Sequence, residues 1–195
     1  MKLKDISNIR TGLVLARKKA TLDDEKHFYR QITLKSFSNS ITLESQYLDD
    51  FISVEEIDPT YLSQFGDIVV RLREPNTAVY IDEASSGLLI PSLMVIVRVH
   101  DKRVNNEFLA HFLNSKEAKK ALEKELKGTT ISMIKTKDLE NLEVVLPSLK
   151  EQDSVVALMK LFEKEHQLLD ALKAQKQHLS QTILDTIIKQ NKDKN

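Results

Sequence analysis

Five histidines are the first residues to test for chemistry: His27, His100, His111, His166 and His178. None stands at a metal-ligand spacing from another histidine or an acid. Imidazoles so scattered are more often surface or core residues than ligands or general bases. Cysteine is absent, which removes a thiolate nucleophile, a thiolate zinc site and a disulfide framework together. The chain has four glycines, and they build neither a phosphate-gripping loop nor a G-x-S-x-G turn. Paired acids such as Glu55-Glu56 are more often solvated than catalytic. The chain therefore reads as one without catalytic residues, metal or cofactor of its own.

What remains suits contact with nucleic acid. Arg71 and Arg73 alternate along a strand-like run that ends at Glu74-Pro75-Asn76, so their guanidinium forks are predicted to share a face near a loop. Arginine pairs bidentately with guanine, and Asn76 or Gln31 could read adenine. Lys127, Thr129 and Thr130 surround Gly128, a cation and two hydroxyls on a permissive backbone, which suits phosphate. Arg17, Lys18, Lys19 and Arg30 add cations ahead of a stretch, between Lys35 and Arg71, with no basic residue and seven acids. Lys plus Arg and Asp plus Glu number 29 each, for a formal net charge of zero. That excludes a simple polyanion sponge but leaves room for one basic face. At any single position the competing reading is ordinary surface charge, or a helix cap at Gly128. Asp58-Pro59-Thr60-Tyr61 is similar to the [DN]-P-P-[YF] motif of amino-methyltransferases. Thr60 replaces the second proline there and no glycine-rich cofactor loop precedes it, so the segment reads as a turn.

Several elements must position these residues. Phe28–Leu34, Asp67–Leu72 and Leu93–Val99 read as strands, the last set off by Pro91. Asn105–Asn114 places Phe108, Leu109, Phe112 and Leu113 on one helical stripe. Ser115 can cap a second helix that Gly128 would end. Asn141–Leu146 reads as a final strand. Pro147 is the last proline and Gly128 the last glycine, so nothing breaks a helix beyond Ser148. Ser148-Leu149-Lys150-Glu151 is a capping box that opens it. The fold class is α+β, a mixed domain over residues 1–147, then a long amphipathic helix over 148–190 and a disordered tail over 191–195. The apolar stripe of that helix, Leu161, Leu168, Leu169, Leu172, Leu179, Ile183 and Ile187, shifts heptad frame at Leu168-Leu169. No second long helix is present to cover it, so a partner chain, most economically a second copy, is expected. The N-terminus lacks the apolar run of a signal peptide, and no stretch approaches the roughly 18 apolar residues of a membrane span. A cytoplasmic location is expected.

Taken in order, these segments resemble a known family. Leu3-Lys4-Asp5-Ile6 and Ile9-Arg10-Thr11-Gly12 resemble the opening of a target-recognition domain. Tyr61-Leu62 with Phe65-Gly66-Asp67-Ile68 is similar to its glycine–aspartate lead into a strand. Phe108-Leu109 with Phe112-Leu113-Asn114-Ser115 is similar to its aromatic-rich helix. Gly128-Thr129-Thr130-Ile131 and Leu139 lead into the most specific piece, Leu142-Glu143-Val144-Val145-Leu146-Pro147-Ser148-Leu149-Lys150-Glu151-Gln152. Together they resemble the specificity subunits of type I restriction–modification systems. Those subunits usually carry two recognition domains and two helical regions, whereas this chain shows one of each.

The resemblance implies a DNA-recognition half-subunit, an antiparallel homodimer on double-stranded DNA, and a bipartite inverted-repeat site. It also implies a methyltransferase subunit that brings S-adenosylmethionine, and a nuclease–translocase subunit as a further partner. The alternatives are a protein-interaction adaptor, or a remnant of a recombining locus, without DNA binding of its own.

Overall fold

The computed structural model describes residues 1–20, 26–37, 40–73, 77–125 and 133–192. Among the described residues there are six strands, β1 (Ser7–Thr11), β2 (His27–Gln31), β3 (Asp49–Ser53), β4 (Ile68–Arg71), β5 (Ala78–Tyr80) and β6 (Met94–Val99). Among them too are four α-helices, α1 (Asn106–Asn114), α2 (Lys116–Glu125), α3 (Thr136–Asn141) and α4 (Leu149–Lys192). The chain divides into two compact units, Met1–Ser154 and Val155–Asn195.

In the first unit, four strands form an antiparallel sheet in the order β1-β6-β4-β5. Its central strands are buried on both faces, which is why they read as continuous aliphatic runs rather than alternating ones. Ile68, Val70, Val95 and Val97 face a core completed by helical residues such as Leu109, Leu113, Leu122 and Leu139. Val69, Val79, Met94 and Ile96 face the other way, onto Ile32, Ile81, Leu88 and Ile90, with Leu34, Phe37, Leu43 and Leu48 at its margin. Helices therefore cover one face, and largely irregular chain covers the other.

A second sheet pairs β2 with β3. Its inner face, with Phe51 and Tyr29, packs on Leu89, Ile57, Leu13 and Tyr61. Alternation along His27–Gln31 sends Tyr29 inward, where its hydroxyl accepts from the Ile57 N–H at 2.9 Å. Gly12 follows β1 and passes the Ile90–Pro91 backbone, where a Cβ would stand 2.3 Å from the Pro91 carbonyl oxygen. Only glycine lets the chain pass so close.

Two sequence expectations need correction. The strand expected over Phe28–Leu34 stops at Gln31. Thr33 then caps a 3-10 turn over Leu34–Ser36, its hydroxyl accepting from the Lys35 N–H at 3.2 Å. The strand expected over Asn141–Leu146 is an extended run with a single bridge, Lys2 to Glu143. Leu3 N–H donates to the Leu142 carbonyl at 2.9 Å, and Val144 N–H donates to that of Met1 at 2.7 Å. The opposing chain turns into a 3-10 helix at Leu3–Asp5, so no longer ladder can form. Both α1 and α2 start as their caps require. Asn105 accepts from the Phe108 N–H at 3.1 Å, and Ser115 from the Ala118 N–H at 3.2 Å. The expected stop of α2 at Gly128 lies outside the described residues.

Candidate nucleic-acid interface

Four of the cations expected to meet DNA, Arg17, Lys18, Lys19 and Arg30, lie at the second sheet. Lys19 bridges Ser53, Ala20 N–H donates to the Ile52 carbonyl at 2.9 Å, and Val54 N–H donates to that of Lys18 at 3.0 Å. The Arg17-Lys18-Lys19 run thus lies along one edge of β3 while β2, carrying Arg30, lies along the other. Arg17, Lys19 and Arg30 are exposed. Lys18 is ion-paired with Glu55, so part of its charge is spent within the sheet. Arg30 donates to the Ser45 carbonyl at 3.3 Å.

The outer face of this sheet holds a residue that sequence reading missed. Phe28 is 75% exposed, opposite Ile52, with Arg30 opposite Asp50 two residues on. Of the adjacent aromatics Phe28 and Tyr29, the pattern alone does not say which turns out. The hydroxyl decides, because the inward ring has an N–H to satisfy and only Tyr29 can do so. An exposed aromatic beside arginine has the chemistry to stack on bases or to wedge against a groove.

Arg71 and Arg73 stand elsewhere. Arg71 closes β4 and sends its guanidinium to the Leu34 carbonyl at 3.4 Å, just beyond β2. Arg73 is exposed and bridges Met133. The strand expected to carry both ends at Arg71, so Arg73 lies beyond β4, and Arg71 is half-buried and contributes to holding the turn at Leu34. Asn76, Lys127, Thr129 and Thr130 lie outside the described residues. Asp58-Pro59-Thr60-Tyr61 forms a capped 3-10 turn, with the Thr60 N–H on Asp58 Oδ1 at 2.8 Å. Arg10 lies 5.0 Å from the Tyr61 ring centroid, in cation–π reach.

The other motif residues are fastenings. Gly66 has φ +87°, a left-handed turn that glycine favours, and its carbonyl accepts from Asn106 Nδ2 at 2.6 Å. Asp67 is buried and receives Arg98 through two bonds, Nε at 2.8 Å and NH2 at 2.7 Å. Those bonds raise the Arg98 pKa above its ordinary value, chiefly by favouring the charged guanidinium. Asn114 exchanges two hydrogen bonds with the backbone of Ala78, at 2.7 and 2.8 Å.

At the start of α4, Ser148 and Glu151 form the expected capping box. Ser148 N–H and Oγ–H reach Glu151 Oε2 at 2.9 and 2.7 Å, which holds the Glu151 carboxyl below its ordinary pKa. Gln152, wholly buried, accepts from the Asn105 N–H at 2.8 Å and donates to the carbonyls of Arg103 and Pro147 at 2.9 Å each. All the long apolar residues of the expected stripe, from Leu161 to Ile187, are exposed along α4. Among the described residues no helix is long and apolar enough to cross a membrane.

Comparison with known proteins matches this arrangement. Residues 1–191 fit the model of the type I restriction modification DNA specificity domain. A chain from a structural study of the assembly and conformational transition of the type I R-M system superposes with a TM-score of 0.69 at 15% identity. That match covers 96% of this chain and 47% of the other. The HsdS subunit of Thermoanaerobacter tengcongensis superposes with a TM-score of 0.68 at 15% identity, over 95% of this chain and 47% of that one. The chain thus spans about half the length of the structures it matches and shares their α+β fold. By its fold, its fastening motifs and a family match over nearly its whole length, this chain belongs to the type I restriction modification DNA specificity domain family, whose members recognise DNA and are not themselves catalysts.

Proposed function

We propose that this chain works as one half of a specificity subunit. Its first unit reads a DNA sequence, and α4 joins it to a second copy, so that the pair reads a split inverted repeat. The observation that carries this reading is the exposure of the apolar residues along α4. Leu161, Leu168, Leu169, Leu172, Leu179, Ile183 and Ile187 lie open to solvent at between 47% and 64%. So long an exposed apolar stripe is costly in water and is covered by a like stripe in a closed two-fold pair.

Two identical readers related by a two-fold axis read identical, inverted half-sites. Arg17, Lys18, Lys19, Arg30, Arg71, Arg73, Asn76, Lys127, Thr129 and Thr130 are the proposed DNA-contact residues, with Phe28 joining them on the strength of its exposure beside Arg30. In this reading a methyltransferase subunit supplies S-adenosylmethionine and the chemistry, and a nuclease–translocase subunit completes the restriction complex. The test is selection of bound duplexes from a random pool by the purified chain with its methyltransferase partner. An inverted repeat with an unread spacer is expected. An asymmetric site overturns the symmetric pair, and an unenriched pool overturns sequence reading.

A further inference from the structure

The apolar seam of α4 is interrupted by two charged residues at matched places. The helix runs unbroken over Leu149–Lys192, so heptad geometry applies along its whole length. From the midpoint between Asp170 and Ala171 outward, the seam reads in pairs. Leu169 and Leu172 flank the centre, then Glu165 and Lys176, then Phe162 and Leu179, then Leu158 and Ile183. Successive members alternate by three and four residues, the spacing of a two-stranded coiled coil. The six apolar members are 47% to 59% exposed, and Glu165 and Lys176 are exposed with them. Leu161 and Leu168 each precede a seam residue and widen one flank, which is why the stripe looks like a change of frame.

For the antiparallel α4 pair that the family resemblance implies, we propose a register in which the two-fold axis lies between Asp170 and Ala171. Glu165 of each copy then meets Lys176 of the partner subunit. The proposal rests on the homodimer reading above and adds to it a register and a basis for self-selection.

Charge decides among the arrangements. In the antiparallel pair every seam residue meets its counterpart across the midpoint, so aliphatic meets aliphatic or aromatic, and the two charged layers are Glu–Lys. A parallel pair sets Glu165 against Glu165 and Lys176 against Lys176, two like-charge contacts in a seam that excludes water. An antiparallel pair slipped by one heptad either way sets each charge against an aliphatic side chain and leaves it unpaired. A charge at a core position is a known means of fixing register at a cost in stability. A foreign helix must place opposite charges at both levels to compete, so the same device favours a second copy over other partners.

The chain has no cysteine, so introduced cysteines report the register. In the proposed pair the two copies of residue 165 are eleven positions apart along the axis, about 16 Å at 1.5 Å per residue. That is beyond the reach of a disulfide. E165C alone and K176C alone are therefore expected to stay uncrosslinked under mild oxidation, and a mixture of the two to form a covalent dimer. E165K alone, or K176E alone, is expected to raise the dimer dissociation constant about tenfold or more, because both charged layers become like-charged. The double variant E165K/K176E is expected to restore it, which also shows that the single variants fold. Self-crosslinking of E165C, or single charge variants that dimerise as well as the wild type, overturns the register. A wild-type monomer by light scattering at tens of micromolar overturns the homodimer reading itself, so the two failures are distinct.

Discussion

At the scale of single residues, the motifs that identify the family are fastenings, and the residues that face outward are a different set. Arg98 and Asp67 show the first kind. Replacing Arg98 with Met leaves a buried carboxylate without its partner. The expected loss is about 2–3 kcal/mol in urea unfolding, lower than for a fully buried pair because the Arg98 side chain is 30% exposed. Arg73 and Lys19 show the second kind. Neither change is expected to alter the unfolding midpoint. Arg73→Ala is expected to cost about 1–3 kcal/mol on the cognate site and relax specificity at one position, whereas Lys19→Ala is expected to weaken all duplexes alike and lower the salt slope by about one. A Lys19→Ala protein that loses only cognate binding assigns it to base reading. Asp101 reports on pH. Side-chain hydrogen bonds from Arg103, then the Arg103 backbone N–H, hold its carboxyl down to about 2, against an ordinary 3.8. A depressed carboxyl stabilises the fold above its unfolded pKa and loses that contribution as pH falls towards the folded one. Its share of stability is therefore expected to vanish between about pH 4 and 2, and Asp101→Asn to flatten the acid limb of the unfolding curve there.

At the scale of elements, the start of α4 is set by two adjacent residues with separate tasks. Glu151 closes the capping box, and Gln152 satisfies three backbone groups at once. Gln152→Ala is expected to cost about 2–4 kcal/mol, because buried groups of Asn105, Arg103 and Pro147 lose their partner, whereas Ser148→Ala costs about 1 kcal/mol. Equal effects in chemical unfolding would show that the glutamine is replaceable by water. The sequence made these termini legible because caps are local. Asn105, Ser115 and Ser148 each act within three residues of themselves. The strands β4 and β6 were legible because each is an apolar run with a single arginine. The strands β1, β3 and β5 were not, since Ser7–Thr11 holds one aliphatic residue, Asp49–Ser53 begins with two acids and Ala78–Tyr80 is three residues long. Their existence depends on partners far away in the chain. The same distance hid the site, because no local pattern places Lys19 and Arg30 on opposite sides of β3 or turns Phe28 outward.

At the scale of the whole molecule, stability and assembly are expected to be linked. Leu172→Glu with Leu179→Glu puts carboxylates into the seam and is expected to yield a monomer. Wild-type α4 is expected to melt at a temperature that rises with protein concentration, and the variant's helical signal to lose that dependence. Concentration-independent melting of the wild type would place the partner elsewhere. The four-stranded sheet has a further consequence. Helices α1, α2 and α3 hold one of its faces through a contiguous aliphatic core, while the other is covered largely by chain without regular structure, around Ile32, Phe37, Leu43 and Leu88. Irregular segments tolerate insertion and replacement far better than packed helices do. In the DNA-reading role proposed above, a chain built this way can exchange the segments beside its second sheet, and with them its target, while the helical face keeps the fold. New specificities are then reachable by small steps through folded intermediates.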